Sequence, residues 1–282
     1  MELTLQYWFM FPISILIAAI AMSTGVGGAV FFSPIFMLAL KIEPAVAIGT
    51  ALITELFGFT SGVYAYTRQR LIDFKLGLML LAFSVPAAVV GSLTAESFPP
   101  NALKSIFAAG VIFIGWQLFR SLRHAQVDPA GENPDAHTSR LVDRSGREFH
   151  YTVCNKGQGM SFAAVGGWFL GMISVGLAEL QEYHLVVRCR IPPPVAVGTA
   201  IFVVVVSVLV ASLGHFYNFA FRSEPEVLHQ VLGLVAFTVP GVIVGGQIGP
   251  LLQAKLDPDH IKMGLSVIFV AVGVFMLAMV MA

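Results

Sequence analysis

Apolar residues run along this chain in long blocks separated by short polar steps, and the blocks come in two similar sets. In the first, Met1 to Ser23 meets the glycine interruption Gly25-Val26-Gly27-Gly28, then the short arm Ala29 to Leu40 and the polar step Lys41 to Pro44. Three longer blocks follow at Ala45 to Tyr66, Leu76 to Leu93 and Ala102 to Phe119. In the second, Gly159 to Ile173 meets Ser174-Val175-Gly176-Leu177, then a short polar-tinged arm, Ala178 to Ile191. Its longer blocks are Val195 to Phe221, Val227 to Leu252 and His260 to Met281. A hydrocarbon core takes about 20 helical residues to cross, so the long blocks predict spans and the short arms do not cross. The fold expected is an all-α polytopic membrane protein.

The two sets also match residue by residue. Ala47-Ile48-Gly49-Thr50-Ala51 stands 149 residues before Ala196-Val197-Gly198-Thr199-Ala200. Ala82-Phe83-Ser84-Val85-Pro86 stands 154 before Ala236-Phe237-Thr238-Val239-Pro240, and Gly91 falls on Gly245 at that offset. Collinear matches of this kind indicate an internal repeat. The organisation predicted is a first membrane repeat over 1–120, a polar connector over 121–157 and a second membrane repeat over 158–282. Within the connector, Leu141 to Val153 alternates apolar and polar residues around Ser145-Gly146, which predicts a small exposed hairpin on an otherwise solvated tether.

Charge decides how the halves face. If the arms around each interruption form a re-entrant hairpin, each half has three spans and the repeats are inverted. Of the 16 Lys and Arg, only Lys41, Lys104 and Arg222 then lie on one side and the other 13 lie opposite. Four spans per half would divide the same residues 10 to 6. The positive-inside bias favours the first arrangement, with both termini outside and the connector in the cytoplasm of a cell whose plasma (inner) membrane holds the chain. Met1 to Ser23 carries Glu2 and no basic residue, so it reads as a retained segment rather than a signal peptide.

Composition agrees, at 57% hydrophobic and 11% charged, and excludes a soluble domain. Net charge is zero and no basic stripe is present, so no nucleic-acid partner is expected. The partners expected are the lipid bilayer and a small anion, with no cofactor and no metal, in a monomer or a homodimer. Cys154 and Cys189 suggest neither a disulfide framework nor metal-ligand spacing and are expected as reduced cytoplasmic thiols.

Glycine interruptions at matching depths carry the chemistry. Broken backbone is tolerated in a membrane only where protein or a water-filled cavity surrounds it, and twin breaks mark the binding site of secondary transporters. A short helix starting after Gly27-Gly28 aims free N–H groups and a positive dipole end at such a cavity, which suits an anion. Gly25, Gly27, Gly28 and Gly176 are therefore candidate substrate-binding positions. Thr50 and Thr54 lie about 9 and 15 Å along the next helix from Pro44 at 1.5 Å per residue. Their hydroxyls, with Thr199 and Ser207 of the second half, are candidates to donate to the same anion, against the plainer expectation of bonding back to their own helix. Glu55 falls near mid-membrane, where a charge costs at least about 2.5 kcal/mol; a tertiary partner or a proton must offset that, so Glu55 is a candidate proton carrier. Glu179 opens the second short arm and is a candidate for the same work or for capping that helix. Its first-half counterpart is Val30, so the first break is expected to stand open for an anion. Arg188, one turn from His184, is a candidate to draw anions into a cytoplasmic vestibule or a plain positive-inside anchor. His215, with Phe216 and Tyr217, is expected at the interface.

Gly25-Val26-Gly27-Gly28 followed by Pro34, the doubled Ala-Ile/Val-Gly-Thr-Ala motif, and Ser174-Val175-Gly176-Leu177-Ala178-Glu179 through Arg188 resemble the TauE/SafE family of sulfite and organosulfonate exporters. The resemblance covers nearly the whole chain, departing at Ala29 and Ala178, where glycine is expected. It implies a secondary transporter of small sulfur-containing anions, exporting them with proton coupling. Two other readings stay open at this point: a non-transporting sensor or assembly protein, and a channel or cation carrier using the buried acids. An enzyme is not expected, since Gly-Val-Gly-Gly lacks the strand context and Lys-Ser/Thr of a phosphate loop.

Overall fold

A computed structural model describes residues 5–24, 26–95, 97–124, 139–221, 223–253 and 258–281. The first half runs α1 (Met10–Thr24), α2 (Ala29–Pro34) continuing as a π-helical turn over Ile35–Ala39, α3 (Pro44–Gln69), α4 (Phe74–Ala95) and α5 (Pro100–His124). The second runs α6 (Lys156–Ile173), α7 (Leu177–Glu182) continuing as a π-helical turn over Tyr183–Arg188, α8 (Pro193–Phe221), α9 (Pro225–Gln253) and α10 (Pro258–Met281). Helices α3, α5, α8, α9 and α10 each begin on a proline, whose fixed φ and missing N–H suit the first helical position. Helices α3, α4, α5, α8, α9 and α10 are long and apolar enough to cross a membrane, three in each half. The chain is an all-α polytopic membrane protein, as its hydropathy predicts.

Packing crosses between the halves. α1 lies along α9 and its counterpart α6 along α4, while α5 pairs with α10 and α3 with α8. Exchanging the halves element for element leaves this list unchanged. The closest crossings need glycine: a Cβ on Gly91 would meet the Trp168 carbonyl oxygen at 2.2 Å, and one on Gly245 would meet the Ile15 oxygen at 2.3 Å. Lipid removes the hydrophobic force between helices, so association rests on close packing, which small residues allow. α3 and α8 form the centre: of an apolar 18-residue stretch in each, 67% is buried inside the protein, against 28% in α9 and α10. The polar residues that matter below are therefore held on the two best-shielded spans and on the arms packed against them.

The connector is more than a tether. Strands β1 (Ser139–Val142) and β2 (Glu148–Tyr151) pair antiparallel, with Ser139 opposite Tyr151 and Val142 opposite Glu148. The hairpin expected around Ser145-Gly146 is present, and it docks: the Tyr151 hydroxyl donates to Asp73 Oδ2 at 2.8 Å and the Arg144 N–H to the Gln69 carbonyl at 3.0 Å. Cys154 and Cys189 correct the expectation of separate thiols. They are joined by a disulfide across 35 residues, because the end of the connector and the π turn after α7 reach the same end of the bundle. His215 corrects another: it is 0% exposed, with Nε2 bonded to the Gly171 carbonyl at 3.0 Å. Only its neighbours Phe216 and Tyr217 face outward.

Candidate substrate and proton site

Both helix breaks are real. α1 stops at Thr24 and α2 starts at Ala29; α6 stops at Ile173 and α7 starts at Leu177. In the second break, Ser174 takes φ 59 and Gly176 takes φ 109, a left-handed region that a side chain disfavours. Gly166 on α6 lets the chain fold back, since a Cβ there would meet Leu177 Cα at 2.9 Å. Gly25 lies outside the described residues.

The two breaks meet. Ser33 of α2 and Ser174 of the second break share a hydrogen bond of 3.1 Å between their hydroxyls. At Gly27 both buried acids converge: its Cβ position lies 3.0 Å from Glu55 Oε1 and 3.7 Å from Glu179 Oε1. Glu55 reaches over from α3 and accepts the Ala29 N–H at 3.1 Å, with the Gly28 N–H also facing it. Glu179 accepts the Gly176 N–H at 3.0 Å, capping the start of α7, and the Gly27 N–H faces it as well. Three successive amides, of Gly27, Gly28 and Ala29, thus fan out toward two carboxyl groups, an anion-accepting cradle at the start of a helix. This corrects the picture of a first break standing open: the position that Val30 leaves empty is filled from α3 by Glu55. The physical reason is reciprocal need, since the α2 amides lack intrahelical acceptors and Glu55 lacks a cation.

Each carboxyl keeps one unused atom. Glu55 is 4% and Glu179 5% exposed, yet Glu55 Oε2 and Glu179 Oε1 are buried without a hydrogen-bond partner. Gln181, two residues on, is 0% exposed with both amide atoms unpartnered. Buried polar atoms without partners are uncommon and costly. Sequence reasoning missed Gln181 and Ser33; the signal available for Gln181 was its place on the short arm beside Glu179.

The hydroxyl candidates are occupied. Thr50 donates to the Val46 carbonyl of its own helix at 2.7 Å, and Thr54 pairs with Thr238 at 2.8 Å. Ser207 pairs with Ser84 at 2.9 Å, and Thr199 accepts the Asp73 N–H at 3.0 Å beside the α3–α4 turn. Thr50 thus bonds back to its own helix, as the plainer expectation had it, while the other three fasten one element to another. Arg188 is at the far end of its arm, with Nη2 donating to Gln158 Oε1 at 3.4 Å.

A multi-pass helical bundle whose halves touch through broken helices and buried acids has the build of a membrane transporter. The chain belongs to the family described as Sulfite exporter TauE/SafE, which matches residues 10–276. It is similar to two Bacillus subtilis proteins named as probable membrane transporters. YunE is 25% identical over 257 residues, covering 88% of this chain and 89% of the relative, and YjnA is 26% identical over 253, covering 85% and 89%. A Methanocaldococcus jannaschii protein named in the same way is 22% identical over 270 residues, covering 90% and 88%. No solved structure matches.

Proposed function

We propose that the protein is a proton-coupled secondary transporter, an exporter of small sulfur-containing anions such as sulfite or organosulfonates. Its halves are inverted in the plasma (inner) membrane, with termini outside and the connector cytoplasmic. The observation that carries this reading is the convergence of Glu55 and Glu179 on the Gly27-Gly28-Ala29 amides where the two breaks meet. In the resting state the Glu55 carboxyl occupies the cradle. A substrate oxyanion takes its place on the same N–H groups, and Glu55 carries a proton once it leaves them, so that the bound anion never faces an ionised Glu55. The pyramidal SO₃ head of sulfite and sulfonates offers three oxygens to three N–H donors, and the unpartnered amide of Gln181 supplies a further donor on α7. Buried acids inside a membrane protein commonly mark such proton and substrate routes.

The test is flux in proteoliposomes. Sulfite and a short alkanesulfonate are expected to move saturably, outward export being driven by the substrate's own gradient, and to compete with each other, with a lumenal pH dye reporting protons moving in the same direction. Equal flux of acetate or potassium, or anion flux with no proton signal, would remove the assignment.

A further inference from the structure

The end of the connector and the arm after the second break meet at three side chains that transport does not use. Cys154 lies between β2 and α6, while His184 lies on the π-helical turn that follows α7 and Cys189 caps it. That turn closes with the Cys189 N–H donating to the His184 carbonyl at 2.9 Å, a five-residue step that brings both side chains to one face. The two sulfurs and a ring nitrogen of His184 all lie within 4.8 Å of one another, although the sequence spacing suggested no ligand set. In the first half the same turn is closed by the Leu40 N–H on the Ile35 carbonyl at 3.2 Å, with hydrocarbon at both matching positions. The fold therefore requires neither cysteine nor histidine here.

His184 is 1% exposed and has no oxygen partner on its ring: Nε2 meets Cys189 Sγ at 3.5 Å and Nδ1 is unpartnered. Gly159 makes room for it, since a Cβ there would lie 2.7 Å from Nε2. A disulfide sulfur is a poor acceptor, so joining the cysteines leaves the imidazole unsatisfied. Two thiolates and an imidazole are instead a ligand set for a thiophilic cation. Tetrahedral bonds of about 2.3 Å to sulfur and about 2.0 Å to nitrogen place S and N about 3.5 Å apart and the two sulfurs about 3.8 Å apart. The first separation already exists between Cys189 and His184; opening the Cys154–Cys189 bond supplies the second. Both cysteines are partly exposed, which gives an ion a way in and leaves its fourth position to water.

We infer that, with its disulfide reduced, the protein binds one zinc-class divalent cation through Cys154, His184 and Cys189, and that reoxidation abolishes the site. A dithiol donor breaks the sulfur–sulfur bond by supplying two electrons and two protons, becoming a disulfide itself; the cation then displaces the thiol protons to solvent. A cytoplasmic position favours the reduced form.

Full-length protein in detergent, reduced with dithiothreitol and desalted, is titrated with Co²⁺ and then Zn²⁺. The expected result is one Co²⁺ per chain with thiolate-to-cobalt absorption, displaced by Zn²⁺, and none in oxidised protein. Cys154→Ser and Cys189→Ser each lower that absorption, and His184→Gln weakens binding by about tenfold or more. In the unaltered protein, Zn²⁺ protects both cysteines from alkylation as read by mass spectrometry, a measurement independent of how any variant folds. Equal alkylation with and without Zn²⁺, or no stoichiometric cobalt in the reduced protein, would overturn the inference.

Discussion

Replacing Glu55 with glutamine removes one charge while keeping the volume and one acceptor oxygen. Glu55 Oε1 accepts the Ala29 N–H at 3.1 Å, and Oε2 is buried without a partner. Hydrogen bonds to a charged group contribute about 1.5–3 kcal/mol and neutral ones about 0.5–1.5 kcal/mol. The amide thus loosens the hold on α2 by about 1 kcal/mol, and the bundle survives. Coupling disappears, because a carboxamide neither takes nor gives a proton at neutral pH. With one proton per monovalent anion, a pH difference of about one unit holds ~1.4 kcal/mol, enough for a tenfold anion gradient. A short alkanesulfonate is the substrate to use, since it stays a monoanion and its own titration cannot mimic coupling. Proteoliposomes with the native sequence are expected to accumulate it about tenfold across such a pH step, and those with Glu55→Gln to stop at equal concentrations. If the variant still accumulates the sulfonate to the native ratio, the proton does not travel on Glu55 and the exchange described at the α2 amides is wrong.

Two further outcomes rest on other contacts. Gly171→Ala would set a Cβ 2.1 Å from the Ala88 carbonyl oxygen, forcing α4 and α6 apart at a cost of roughly 1–3 kcal/mol. That is expected as a lower melting midpoint in detergent, whereas Gly264→Ala, with nothing within 4 Å of its new Cβ, should leave the midpoint where it was. The connector hairpin should have an acid limit set by Asp143. Exclusion from water pushes this carboxyl up, but the Ser145 hydroxyl, the Arg147 guanidinium and two backbone N–H groups outweigh that and hold it at about 2. A pKa below the ordinary aspartate value of about 3.9 means stabilisation complete above that value and lost as pH falls through about 2. The protection factors of the Ser145 and Arg147 amides, exchange rates corrected for the intrinsic pH dependence, should hold at pH 5 and fall only as the pH drops from about 4 toward 2; a loss of protection already near pH 6 would contradict this.

The spans, the breaks and the hairpin were legible because each is a local statement. A bilayer fixes how many apolar residues a span needs, and Gly27-Gly28 or Ser174 to Gly176 cannot continue a helix quietly. Partners were harder to read. Glu55 and the α2 amides were each recognised as unsatisfied, but nothing in a string 26 residues apart says that one answers the other. Thr54 with Thr238 and Ser207 with Ser84 are bonds between spans that exist only once the bundle forms, so a ligand or their own helix were the partners weighed for these hydroxyls. Cys154 and Cys189 were missed because a π-helical turn, invisible to a 3.6-residue periodicity, decides which way Cys189 points. Hydropathy marked out α8, but rotation about the helix axis, which turns His215 toward Gly171, was not in it.

The glycine crossings bear on how such a chain can be assembled. Because α1 is seated in α9 and α6 in α4, neither repeat completes its own structure; each lends its leading arm to the other. A lone half would turn the bare ridge of Gly91, or of Gly245, toward lipid and would have no companion to clasp its broken helix. The smallest self-sufficient object is therefore the interlocked couple, and neither half made alone is expected to fold.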